Sequence, residues 1–381
     1  MSEHSAAWWE ELRRQMPVAR RRAYFDHAAV APISGPAQQA LAEWSADSAA
    51  NGDVPWLTWA SGVERLRRRF AAFLAAGEDE IALVPNTTVG INIVAEGFPW
   101  QPGDNVVVPD DEFPSNLFPW LNLESRGVEV RRVQSGGRRL DLDKLAAACD
   151  RKTRIVSASW VGYAHGFRTN VDDLCAMVHE QGALLFLDAI QGLGVFPLDV
   201  SRTPVDFLAA DGHKWLLGPE GAGMFYMRRE HLARLEPRGV GWHSVEQAAD
   251  YSLAEFRLRD AASRYEGGSM NIPGFLALDA SLAMLGHYGA HAVSERVLAI
   301  TDYLCARLEG IGAVVASDRD RQCASGIVSF DVPDRDSAQL RKQCLKADVV
   351  VSVRGGRLRA SPHAYTSEQD VDRLIAVLDG S

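Results

Sequence analysis

The stretch ALLFLDAIQG, Ala183 to Gly192, decides how this chain is to be read. Apolar residues run without alternation into Asp188. Such a run fits a strand buried on both faces, as in parallel sheets covered by helices. A carboxylate at its carboxyl end faces the crevice where open α/β sheets hold ligands. Read alone, Asp188 serves as well as a helix N-cap or a turn residue.

Similar runs lie on either side: Ile81–Val84, Val106–Val108, Val128–Val133, Ile155–Ser159, Leu184–Asp188, Phe207–Ala210 and Gly223–Met227. Helix-period segments such as Val171–His179 separate many of them. The alternation predicts an α/β fold with a mostly parallel sheet covered on both faces. The last third changes character. Val297, Ile300, Leu304 and Leu308 share a helical face, strand runs follow at Ile327–Phe330 and Val349–Val353, and a final helix carries Val371, Leu374, Ile375 and Leu378. Ser367 and Asp370 are spaced as a capping box for that helix. The expected division is an N-terminal arm over residues 1–22 packing on a small domain, a large domain over 23–286, and a smaller C-terminal α+β domain over 287–381.

Composition narrows the function. The 381 residues carry 40 Lys+Arg against 50 Asp+Glu, a formal charge of −10. That balance argues against nucleic acid or an anionic membrane as partner, since both need clustered cations. The basic cluster Arg13, Arg14, Arg20, Arg21 and Arg22 reads as a solvated face of the arm. MSEHSAAWWEELRRQ lacks the apolar core of a signal peptide. No apolar run is long enough to span a membrane. The five cysteines are odd in number and form no CxxC pair, so no metal site or disulfide framework is expected, and a cytoplasmic setting fits. The histidines form no HExxH pattern, and the glycines no phosphate-loop pattern.

Four segments carry the chemistry. ADGHKWLLGPEGAG, Ala210 to Gly223, delivers Lys214 from the end of a strand, between His213 and Trp215. Burial there lowers an amine's pKa, which a Schiff-base lysine needs. VPNTTVGINIVAEG, Val84 to Gly97, brings Thr87 and Thr88 to a helix start expected near Gly90. Hydroxyls and free N–H groups at such a start cradle phosphate, although plain capping is the simpler reading. DEFPSNLFPW, Asp111 to Trp120, sets Phe113 in a polar turn, where an aromatic ring either packs a ligand or folds back on the core. Asp188 in DAIQ is the fourth.

In this order and spacing the segments resemble the class V aminotransferase family of pyridoxal-phosphate enzymes, which includes cysteine desulfurases, kynureninase and isopenicillin N epimerase. The resemblance runs from YFDHAAVAP at Tyr24 to RASPHAYTSEQDVDRL at Arg359. It implies fold type I, with a seven-stranded, mostly parallel sheet in the large domain, and pyridoxal 5′-phosphate as cofactor. It makes Lys214 the lysine of the internal aldimine and Asp188 the partner of the pyridine nitrogen. Gln191 then lies near the phenolic oxygen and Phe113 takes the ring-stacking position. Thr87, Thr88 and His213 contact the phosphate. Ser269, in RYEGGSMN, reaches the partner subunit's phosphate, which implies a homodimer with shared sites. Arg359 grips the substrate carboxylate. Tyr163 stands where desulfurases carry an Asn over the ring and contacts cofactor or substrate, or merely packs.

Two departures stand out. Asp211 replaces a phosphate-binding Ser; beside a dianion its charge is unfavourable, so it is expected to point elsewhere. Desulfurases also carry a catalytic Cys on a loop before the carboxylate-binding Arg. Here Arg354, Gly355, Gly356 and Arg357 lead straight to Arg359, and no Cys intervenes. Sulfur transfer through a persulfide is thereby excluded, while elimination is not. The resemblance implies an enzyme acting on a small amino acid through an external aldimine and a quinonoid. Aminotransferase is the foremost reading. A β-eliminating or C–S lyase, an epimerase or a kynureninase-like enzyme follows, and a fold relative without catalysis is the alternative of a different class.

Overall fold

The computed structural model describes residues 8–136, 139–250, 252 and 255–380; the first seven residues of the expected arm lie outside these. After a short strand β1 (Ala23–Tyr24), the seven expected runs follow as β2 (Ile81–Val84), β3 (Asn105–Pro109), β4 (Glu129–Val133), β5 (Thr153–Ser159), β6 (Leu184–Asp188), β7 (Phe207–Asp211) and β8 (Gly223–Met227). They form one seven-stranded sheet in the order β2-β8-β7-β6-β5-β3-β4. β3 to β7 pair in parallel, and β8 runs antiparallel to β2 and β7.

The continuous apolar runs are explained by burial on both faces. Val107, Val156, Leu185, Leu187 and Leu208 join one core cluster. Their neighbours Val106, Ile155, Phe186 and Phe207 join another on the opposite face. A strand's two-residue period sends each alternate side chain to the other side. The helix Val171–Glu180 covers the first face with Val171, Leu174, Cys175 and Val178. The helix Thr87–Gly97 covers the second with Ile91, Val94 and Ala95.

That second helix begins three positions before Gly90, the start expected from sequence, because Asn86 caps it by accepting from Val89 N. Gly90 serves packing instead. A Cβ there would lie 2.6 Å from Ala209 Cβ on β7. The missing side chain lets the helix lie close against the strand that delivers Lys214. Gly90→Ala is therefore expected to destabilise the fold by about 1–3 kcal/mol through overpacking. A lower urea midpoint at unchanged slope would register it.

The last third carries β9 (Val314–Val315), β10 (Val328–Asp331), β11 (Val349–Val350), β12 (Ser352–Arg354) and β13 (Arg357–Ala360). β12-β13-β10-β9 form an antiparallel sheet. The single strand expected over Val349–Val353 is divided at Val351. β11 pairs in parallel with β1, and β12 turns into the other sheet. Residue patterning reports burial but not pairing partner, so this change of partner leaves no trace in the run. Ala23 and Phe25 pack in one cluster with Val349, Leu358 and Leu374, whereas the expected division placed them in the large domain. The final helix, Glu368–Asp379, starts at the expected Ser367–Asp370 capping box. No helix among the described residues is long and apolar enough to cross a membrane.

Candidate active site

The carboxyl ends of β2, β5, β6 and β7 open onto a cavity of about 290 Å³. Thr87, Thr88, Phe113, Tyr163, Asp188, Gln191, His213, Lys214 and Arg359 all line it. Thr87 and Lys214, 127 positions apart, meet because the strands before them end on one edge of the large sheet, while Arg354 and Arg359 reach the cavity from the C-terminal sheet. Ser269 is exposed and does not line the cavity.

Lys214 is 7% exposed, and burial draws its ammonium down to about 8. Asp188 opposes that shift, and Arg359 and Arg354 reinforce it. The lysine Nζ lies 5.6 Å from the centre of the Phe113 ring. Tyr163 meets that ring edge-on at 5.3 Å. Asp188 is 2% exposed, and burial pushes its carboxyl up to about 6. It accepts from Ile190 N at 3.0 Å.

Gln191 has its amide oriented by a donor that cannot accept. Trp215 Nε1 donates to Gln191 Oε1 at 2.8 Å, so the amide oxygen must face the indole. Gln191 Nε2 donates one hydrogen to Ala28 O at 2.9 Å and keeps its second. Arg359 is 1% exposed and held on three sides. Its Nε donates to Ser352 Oγ at 3.2 Å, Nη1 to Tyr163 O at 2.6 Å and Nη2 to Asp26 Oδ1 at 3.2 Å. A guanidinium has five N–H groups, so one on each terminal nitrogen remains for a two-oxygen acceptor.

The phosphate end is less simple than the sequence suggests. Thr88 Oγ1 donates to Ser115 Oγ at 2.9 Å. Thr87 Oγ1 and His213 Nδ1 are buried without a hydrogen-bond partner among the described residues. Asp211 does not point elsewhere, as expected from charge alone; it lines the cavity with Oδ1 3.1 Å from His213 Nδ1. The reason is its company: His213 is beside it, and its charge also acts on Lys214. The contact is close enough for an ion pair, yet its angle leaves both atoms without a hydrogen bond.

These features fit pyridoxal phosphate. An unpartnered Thr87 hydroxyl stands at the start of an α-helix, where a phosphate is stabilised, and an unpartnered His213 nitrogen belongs to the same cavity lining. A buried carboxylate with one backbone donor is undercompensated, and a protonated ring nitrogen would complete it. A buried amine of lowered pKa is a carbonyl-capturing nucleophile.

Sequence reading missed three contributors. Glu112 lies beside the site, takes Ser159 N at 2.6 Å, and is pushed up to about 7 by burial, with Asp188 adding to the push. Asp26 braces Arg359. Arg354 lines the cavity, and only its place beside Arg359 in the sequence marked it.

A family model described as aminotransferase class-V matches residues 23–374. A probable cysteine desulfurase of Methanothermobacter thermautotrophicus is 31% identical over 97% of this chain and 97% of its own. Two solved structures of the cystine C–S lyase C-DES share the fold. One, in complex with its product cysteine persulfide, has a TM-score of 0.90 at 22% identity, over 96% of this chain and 99% of that one. The other, a variant with glycine covalently linked to the PLP cofactor, has a TM-score of 0.91 at 23% identity, over 96% and 98%.

Proposed function

The chain belongs to the class V aminotransferase family and is a pyridoxal-phosphate enzyme, and from that premise we propose that it is a lyase cleaving a β-carbon–sulfur bond of a small α-amino acid. The observation that carries this reading is a cavity holding a lysine, a buried carboxylate and a two-pronged arginine, with no cysteine among its lining residues. Two relatives, the probable cysteine desulfurase and the cystine C–S lyase, are named for sulfur-bearing amino acids. Transfer of that sulfur to a protein thiol needs a nearby cysteine. Cys344 is buried in the C-terminal core, and burial pushes its thiol up to about 11. Elimination needs no such thiol, which favours it over desulfurase chemistry, and the sulfur-bearing amino acids for which these relatives are named favour it over transamination.

Pyridoxal phosphate, when bound, supplies an electron sink that weakens the bonds at the substrate's α-carbon. Lys214 anchors it. Arg359 takes the substrate carboxylate with its two spare N–H groups and so orients the α-hydrogen. The freed, neutral Lys214 amine accepts that proton at Nζ. The β-carbon–sulfur bond then breaks with its electron pair on sulfur, which takes up a proton and leaves as thiol. The unsaturated amine left behind takes up water and becomes keto acid and ammonia. Asp188 would supply a compensating negative charge to the ring nitrogen, and Gln191, Phe113 and Tyr163 would hold the ring. Thr87, Thr88 and His213 would hold the phosphate. Ser269, exposed and outside its own cavity, serves the partner's site in a homodimer.

The test is a product assay on the cofactor-loaded protein with S-alkylcysteines. Thiol, keto acid and ammonia are expected in equal amounts without a second keto acid. Keto acid that forms without thiol, and only when an amino acceptor is supplied, would replace the reading with transamination.

A further inference from the structure

The β12–β13 hairpin presents three arginines on one face. Ser352 pairs with Arg359 and Arg354 with Arg357, and paired or alternate residues of a hairpin share a side. Val353 and Leu358 face the opposite way, into the C-terminal core. The turn between the strands is Gly355–Gly356, with φ of +56° and +81°. Both values are left-handed, as the tightest hairpin turn requires. Arg354 is therefore held at the last paired position, on the rim of the cavity it lines.

The three arginines differ in how their charge is met. Arg359 has Asp26, and Arg357 donates to Asp331 at 2.8 Å. Arg354 donates to Val353 O at 2.9 Å, and among the described residues no carboxylate pairs with it. Its charge instead bears on Lys214 and Arg359, disfavouring the cationic form of each. Like charges placed opposite each other in a hairpin, as Arg354 and Arg357 are, also repel. A cavity wall that gathers cations in this way lacks an anion beyond the one Arg359 is shaped to take.

We propose that Arg354 selects substrates whose side chain ends in a second acidic group, so that the amino acid is bound at both ends: the α-carboxylate by Arg359 and the distal anion by Arg354. This rests on the reading of Arg359 and of elimination given above. The leaving thiol then carries the acid with it, and Arg354 holds it through bond cleavage.

S-(carboxymethyl)-L-cysteine and its primary amide have nearly the same shape and differ in the distal charge. The loaded wild-type protein is expected to favour the acid in kcat/KM by ~10-fold or more, the usual worth of a charge-assisted hydrogen bond. Arg354→Gln should erase that ratio and Arg354→Glu should invert it. Because both forms of the substrate are compared on the same protein, a general loss of activity cancels. Calorimetric binding of L-2-aminoadipate and of its amide, which cannot eliminate a thiol, gives the same comparison without turnover. A wild type indifferent to the distal charge, or a preference that survives Arg354→Glu, overturns the proposal. Acid-selective binding that depends on Arg354, without thiol release from either cysteine derivative, overturns the lyase reading and leaves the binding of the amino acid at both ends standing.

Discussion

Lys214→Ala is expected to yield a colourless protein that turns over at least ~10³-fold more slowly, because one substitution removes both the cofactor's anchor and the group that takes the α-proton. The two losses separate by experiment. Exogenous methylamine can restore part of the proton transfer but not the anchor, so partial rescue of rate in a protein that loses cofactor on dialysis is the pattern to expect. The unmodified protein offers a matching pH signature. Burial draws the Lys214 ammonium down to about 8. Only the neutral amine attacks a carbonyl. The rate of pyridoxal phosphate capture by cofactor-free protein should therefore climb about tenfold per pH unit below that value and level off above it. In an ordinary exposed lysine the climb would continue for two further units. A Lys214→Ala protein that stays yellow after dialysis would remove Lys214 from its assigned place.

Asp188→Asn is the second large effect. The amide keeps the shape and can still accept from Ile190 N, which now meets the carboxylate at 3.0 Å. It removes the negative charge. A missing preorganised charge of this kind costs on the order of 10²–10³-fold in kcat. Because burial outweighs what Ile190 N and the Lys214 charge return to the carboxylate, the cofactor-free protein should be no less stable after the substitution, and binding of the charged ring should weaken. Thermal unfolding with and without cofactor separates the two. Asp188 is displaced from this role if the kcat of the Asn variant matches wild type, or if the variant loses stability equally in both states.

The parts of the molecule that were legible in the sequence share a physical character. The strands could be read because burial on both faces leaves unbroken apolar runs, as at Leu184–Asp188. Lys214, Asp188 and Thr87 could be placed because Asp188 ends a strand and the other two follow one by a short, distinctive turn, so local spacing sets their position. Arg354 and Asp26 could not be read in this way. Their significance depends on which charges meet across a hairpin or across the whole chain, and an arginine near a glycine turn looks like any surface arginine. Glu112 was hidden for a related reason: its environment is made by Ser159 on another strand. Asp211 shows the converse. Its sequence position raised a correct electrostatic objection, but the histidine beside it altered the outcome.

The link between Asp26 and Arg359 joins residues 333 positions apart. The parallel pairing of β1 with β11 spans nearly the same stretch. During synthesis on the ribosome the segment that carries Asp26 emerges early and waits for its partner until almost the entire polypeptide has been made. The lysine, the aspartate and the helix that begins at Thr87 are all made before then, but the arginine wall is not. The wall that takes the amino acid's carboxylate is thus the last part of the site that a nascent chain can complete.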